Sequence, residues 1–142
     1  MKRIVWRFSL AAAVACVSFV ASAQTYRVTA DAKDDGGGLS WASAMTLSNA
    51  IAAVTADGGD GTILIQAGAY PVSAPFDIST PMTIRGGYAG TDDTTLAADP
   101  YTTFDGSNKV ERIFNVTTDT SENDYNRFSR CIFKRCAQQN FK

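Results

Sequence analysis

From Gly61 onward the chain is a succession of short β-rich bursts cut by Gly, Pro, Asp and Asn. They are "TILIQ" (62–66), "YPVS" (70–73), "FDI" (76–78), "MTIR" (82–85), "TTFD" (102–105), "RIFNV" (112–116) and "FSRCIFK" (128–134). Strands this short hold only when stacked on neighbours. The bursts must therefore share one core, and their period decides how. Centres at Leu64, Thr83, Thr103 and Ile132 lie 19, 20 and 29 residues apart, and a solenoid unit uses roughly 20 residues or more. A small β-sandwich, with turn signals every roughly 8–12 residues, also accommodates the spacing of Phe76, Ile84, Phe104 and Phe114. Both all-β arrangements stay open on spacing alone.

Upstream, "TYRVTA" (25–30) alternates and is rich in β-branched and aromatic residues, which predicts a strand. "DAKDDGGGLS" follows as a loop. Its Asp31, Asp34 and Asp35 lack the alternating ligands and closing glutamate of a calcium loop, and read as solvated turn residues. "SWASAMTLSNAIAAVTADGG" (40–59) holds the one convincing helix: Leu47, Ile51 and Val54 recur at helical spacing beside Ala50 and Ala53, and "DGG" stops the run. Thr46 or Ser48 is the expected cap.

The first residues set the compartment. "MKRIVWRFSLAAAVACVSFVASAQT" carries Lys2, Arg3 and Arg7, an apolar run from Phe8 to Val20, and Ala21-Ser22-Ala23, the small-x-small pattern at which a secretory leader is cleaved. The run is shorter than the roughly 20 residues a spanning helix needs. The expectation is a signal peptide over 1–23, with the membrane met only through that export signal, and a secreted or cell-surface product of a bacterium. "AVAC" faintly resembles a lipoprotein cleavage box at Cys16, without its usual leucine. Without residues 1–23 the chain keeps ten basic and fourteen acidic residues, a net charge of −4. That balance offers no electrostatic footprint for nucleic acid. The nearest thing to a basic patch, Arg127, Arg130, Lys134 and Arg135 in "RFSRCIFKR", alternates with apolar residues and reads as the solvated face of a strand.

The sequence contains no histidine. Ser/His and Cys/His nucleophile pairs and every His-containing zinc site are thereby excluded. Cys131 and Cys136 stand five apart: in an oxidising compartment they close a disulfide if the Cα separation allows, or they pack as apolar thiols. Two cysteines do not complete a tetrahedral metal site. No cofactor or metal is expected.

Four stretches taken in order carry a resemblance: "LSWASAMTLSNAIAAV", "GDGTILIQAGAYPVS", "MTIRGGYAGTDDTTLAADP" and "TTFDGSN". They are similar to the amino-terminal end of secreted right-handed parallel β-helix proteins of the pectate-lyase-like superfold, including polymorphic outer-membrane and surface-adhesin relatives. The residues that carry it are Ser40, Trp41 and Ala44; Gly59 and Asp60; Ala67, Gly68 and Tyr70; Gly86, Gly87, Tyr88 and Gly90; and Asp105 and Gly106. The resemblance runs from about Tyr26 to Val116. It implies a strand, loop and capping helix over 24–61, then the first rungs of a parallel β-helix over 62–142. Members usually continue for many more turns, so the chain is expected to be the amino-terminal piece of a longer protein.

Leu47, Ile51 and Val54 are then the lid that a solenoid's open end requires. Gly86 and Gly87 are read as a corner after the strand Met82–Arg85, with Tyr88 folded over it and Gly90 turning the chain again. Trp41 is read as a core anchor beside the helix, and in "CIFK" Cys131 and Phe133 are expected to point inward. This superfold hosts many functions, so fold alone does not choose one. The expected role is a non-catalytic surface module for adhesion or envelope structure, with cell-surface glycans or host and envelope components as partners. One alternative is the amino-terminal part of a polysaccharide lyase or glycosidase using Asp92, Asp93, Asp99 or Asp105, all in turn contexts that favour Asp for backbone reasons. Another is a sugar-binding module using Trp41, Tyr70, Tyr88 or Tyr101.

Overall fold

The computed structural model describes residues 23–33, 36–117 and 127–135. Residues 1–22, where a leader is expected, lie outside the described residues with Asp34, Asp35 and Cys136, and so does the disulfide expected at Cys136.

The strands form where β-branched and aromatic residues were dense. They are β1 (Thr25–Val28), β2 (Gly61–Gln66), β3 (Gly68–Pro71), β4 (Phe76–Ile78), β5 (Met82–Tyr88), β6 (Thr102–Asp105), β7 (Phe114–Val116), β8 (Arg127–Ser129) and β9 (Cys131–Lys134). Three sheets result, in the orders β1-β2-β5-β8, β3-β6-β9 and β4-β7. From β2 onward the chain visits the first, second and third sheets in turn and then repeats that order. All six pairings between these strands are parallel. A sandwich of hairpin-linked strands needs antiparallel neighbours; among the described residues the antiparallel contact is a lone bridge, Tyr88 to Leu96.

Parallel register stacks like on like. Tyr26, Ile63, Ile84 and Phe128 align across the first sheet. Tyr70, Phe104 and Phe133 align in the second, and Phe76 and Phe114 in the third. Ring centroids are 5.6 Å apart for Tyr70–Phe104, 5.8 Å for Phe104–Phe133 and 5.5 Å for Phe104–Phe114, within the range in which aromatic pairs attract. Ile63, Ile84, Ile78 and Phe104 are fully buried, so the inner faces of the three sheets form one continuous core.

One end of this core is covered by α1 (Leu47–Ala56), which packs on β1 and β2. The expected stripe is the one observed: Leu47, Ala50, Ile51 and Val54 are buried. Removing three such large side chains from water stabilises by about 1.5–3 kcal/mol each before ordering entropy is subtracted. Thr46 is the cap, its Oγ1 accepting from Asn49 N at 3.4 Å. Gly58 and Gly59, both at positive φ, end the helix. A Cβ on Gly61 would lie 2.7 Å from Val54 Cγ2, so the lid sits directly on a glycine. Tyr26 Oη donates to Asp57 Oδ2 at 2.6 Å and ties the helix's carboxyl end to β1.

Several expectations need correction. β5 does not stop at Arg85: it runs through Gly86, Gly87 and Tyr88, so the glycines are not a corner. Leu64 pairs with Arg85 but Gln66 with Tyr88, which inserts one extra residue into β5, a β-bulge. Gly87 supplies the bulge's φ of 88°, and a Cβ on Gly86 would lie 2.6 Å from Thr102 Oγ1 and 2.7 Å from the Arg130 carbonyl. The single strand expected over 128–134 is two, β8 and β9, broken at Arg130, whose φ is 53°. Within β9 Cys131 and Phe133 do share the inward face, in register with the buried Thr102 and Phe104, and the Phe133 ring meets Phe104, Phe114 and Phe128 while staying 46 % exposed. The regular period near 20 residues does not hold: the intervals Leu64–Thr83 and Thr103–Ile132 each stay within one sheet, but the middle interval, Thr83–Thr103, crosses from the first sheet to the second. Within the first sheet Thr62 pairs with Thr83 and Thr83 with Arg127, offsets of 21 and 44, because the segments joining successive strands differ in length.

Candidate functional site

Among the described residues a polar cluster of side chains lies where the segment before α1 meets the loop after β5. Arg27, in β1, sends Nε to Asp93 Oδ1 at 3.0 Å and Nη2 to Asp93 Oδ2, while Nη1 donates to the Thr25 and Leu39 carbonyls at 2.8 and 2.9 Å. Trp41, in a single 3-10 turn capped by Ser40, donates Nε1 to Asp93 Oδ1 at 3.0 Å and lays its ring 6.0 Å from that of Tyr88. The Arg27 guanidinium holds the Asp93 carboxyl below the usual carboxylate range. Trp41 is therefore not the core anchor expected: it is half-buried and faces a cleft, because its indole N–H is drawn to a carboxylate at the surface.

That carboxylate is positioned by its neighbour. Asp92 Oδ1 accepts from Thr94 N, Thr94 Oγ1 and Thr95 N, and Oδ2 accepts from Thr95 Oγ1, each at 2.7 Å. These bonds, led by the Thr95 hydroxyl, hold its pKa well below the carboxylate range. Backbone bonds Ala89 N to Thr95 O and Ala97 N to Gly87 O fold the loop back on the end of β5. Gly90, at φ 85°, makes the turn beside Gln66, whose Nε2 donates to Ala89 O at 3.1 Å.

The resulting cleft, about 550 Å³, is lined by Thr29, Asp31, Lys33, Trp41, Ser43 and Gln66, together with backbone at Gly36 and Gly90. Beneath it Tyr70 is buried with Oη donating to Gln66 O at 3.0 Å; burial and the Asp31 charge push its phenol up. Thr102 locks the floor to the bulge, its Oγ1 donating to Gln66 O and accepting from Gly87 N, each at 3.0 Å.

The other candidate acids are dispersed. Asp105 ends β6, where Oδ1 accepts from Ser107 N at 2.8 Å and both oxygens engage the Arg135 guanidinium. Gly106 follows where a Cβ would lie 2.6 Å from Val110 Cγ2. Asp99 is exposed, as is Tyr101. A second groove, about 660 Å³, crosses the outer face of β4 and β7 and is lined by Asp77, Lys109, Glu111, Arg112 and Asn115, with Asn115 Nδ2 donating to Asp77 Oδ1 at 2.9 Å. Among the described residues no group of three or more Cys, Asp or Glu side chains is placed to hold a metal ion, and no helix is long and apolar enough to cross a membrane. Of the residues expected to matter, Trp41, Tyr88, Gly90 and Asp93 are brought together. Arg27 and Gln66 join them unforeseen, because each sits in a strand whose sequence signals only β structure. Comparison with family models, with curated proteins and with solved structures finds no match.

Proposed function

We propose that this chain is an exported, non-catalytic module of right-handed parallel β-helix type, related to the pectate-lyase-like surface proteins its motifs resemble, and acting at the bacterial cell surface in adhesion or envelope structure. The observation that carries the reading is the order in which strands return to three parallel sheets over one core, with α1 lying over one end. That is the arrangement a coiled sheet with a capped first turn requires.

The non-catalytic part of the reading rests on how the acids are spent. Asp92 closes its own loop, Asp93 is paired to Arg27 and Trp41, and Asp105 is paired to Arg135 and a turn N–H. Carboxylates so engaged support the backbone more readily than they move protons.

Two experiments test the proposal. In a bacterial host the full chain is expected to appear outside the cytoplasm with the mass of a protein starting at Gln24; a full-length chain retained in the cytoplasm would overturn export. Incubated with pectin, alginate and chondroitin in the presence of calcium, the exported chain is expected to release no unsaturated product. The groove holding Asp77, Glu111, Lys109 and Arg112 supports the second reading, the amino-terminal part of a polysaccharide lyase or glycosidase. Product release abolished by Asp77→Asn or Glu111→Gln would establish it in place of the first.

A further inference from the structure

We infer that the Trp41 cleft is a binding site for a neutral pyranose unit of a glycan. This deepens the surface-module reading by naming the class of partner, and rests on that reading only for where the ligand is met.

The first ground is a preorganised aromatic wall. An indole that recognises a sugar must present a fixed face, because ordering it during binding subtracts from affinity. Trp41 is held on two sides before any ligand arrives: its N–H is bonded to Asp93, which two guanidinium nitrogens of Arg27 fix in turn, and Tyr88 backs the ring at 6.0 Å. The remaining indole surface lines the cleft. Aromatic faces carry negative charge density and attract the polarised C–H groups that one face of a pyranose presents.

The second ground is the set of polar groups around that wall. Asp31 supplies an acceptor, Lys33 a donor, and Gln66, with Nε2 committed to Ala89 O, keeps Oε1 as an acceptor. Neither Asp31 nor Lys33 is in an ion pair among the described residues. A few directed polar groups beside an apolar wall, in a cleft of about 550 Å³, is the composition of a small-ligand site of one or two sugar rings. Among the described lining residues the charges of Asp31 and Lys33 cancel, which favours a neutral ring over a uronate or an amino sugar.

The sequence has two tryptophans, Trp6 and Trp41, so in the full chain carrying Trp6→Phe the emission reports on the cleft alone. Titration with methyl β-glucoside and neutral disaccharides is expected to change that emission saturably, with galacturonate oligomers binding at least about tenfold more weakly. Calorimetry should find Trp41→Ala weakened by about tenfold or more, the weight of one stacked aromatic contact. Because that variant also frees Asp93, the double variant Asp31→Ala, Lys33→Ala is the second arm: it removes the acceptor and the donor, leaves the indole and its supports in place, and is expected to lose binding with unchanged circular dichroism.

No emission change with any neutral sugar would overturn the site. So would a preference for uronates, or a titration unaltered by the double variant. An exported, cleaved chain that ignores sugars overturns the site and leaves the module reading standing. A sugar-responsive chain retained full-length in the cytoplasm does the reverse.

Discussion

Gly87→Ala tests the bulge that the Gly-Gly pair builds into β5. Two costs add at this position. The φ of 88° lies where an L-residue is disfavoured by roughly 1–2 kcal/mol. The new Cβ would also lie 2.2 Å from the Pro100 carbonyl oxygen and 2.7 Å from its carbon. These are backbone atoms, so the chain before β6 must shift, at about 1–3 kcal/mol for an overpacked site. The total, about 2–5 kcal/mol, is a large part of the roughly 5–15 kcal/mol that holds a domain together. Gly58→Ala is the internal control, because its φ is 94° but nothing lies within 4 Å of its Cβ. Urea denaturation followed by circular dichroism should place Gly58→Ala modestly below the parent and Gly87→Ala well below both. Equal midpoints for the two variants would show that Pro100 does not press on Gly87, and the bulge account would fail.

Thr102→Val deletes the fully buried hydroxyl that joins Gln66 O to Gly87 N, leaving both groups without it; urea midpoints should report a loss of about 1–3 kcal/mol. Val54→Ala, under the lid at 0 % exposure, should cost about 2 kcal/mol in the same assay, whereas the exposed Ser48→Ala should be nearly neutral. The Tyr26 phenol, raised from 10.0 to about 12 by its hydrogen bond to Asp57 and by burial, binds its proton more tightly folded than unfolded. Its contribution is full below pH 10 and disappears as pH rises toward 12. Tyr26→Phe should therefore be less stable than the parent at pH 8, with the gap closing across that window, and should lose one late phenolate step in ultraviolet titration.

What the sequence made legible is what local chemistry decides. The stripe of Leu47, Ile51 and Val54, the Thr46 cap and the stop at Gly58 and Gly59 follow from helical periodicity and turn chemistry within a few residues. Most strand positions were legible for the same reason, the exceptions being the end of β5 and the break between β8 and β9. Which strand lies beside which was not, because joining segments of unequal length stretch the register offset from 21 to 44 residues within one sheet. The glycines of β5 were misread because a positive φ serves a corner and a bulge equally well; only Thr102, Arg130 and Pro100, brought in from distant sequence, settle which it is. The cleft was legible only in part. Trp41 and Asp93 stand out by type, but Arg27 is 66 residues from the carboxylate it holds, and no local pattern announces such a pair. Trp41 was assigned to the core because an indole is usually drawn inward by its area, and here the pull of Asp93 on its N–H keeps it at the surface.

The central claim is that successive strands stack in parallel register into three sheets around one core. Nuclear Overhauser contacts among selectively labelled aromatic rings test it most directly. The account predicts ring-to-ring contacts from Tyr70 to Phe104, from Phe104 to Phe133 and from Phe76 to Phe114, pairs separated by 34, 29 and 38 residues. Rings that instead met their sequence neighbours across hairpins, with Tyr70 silent to Phe104, would contradict it.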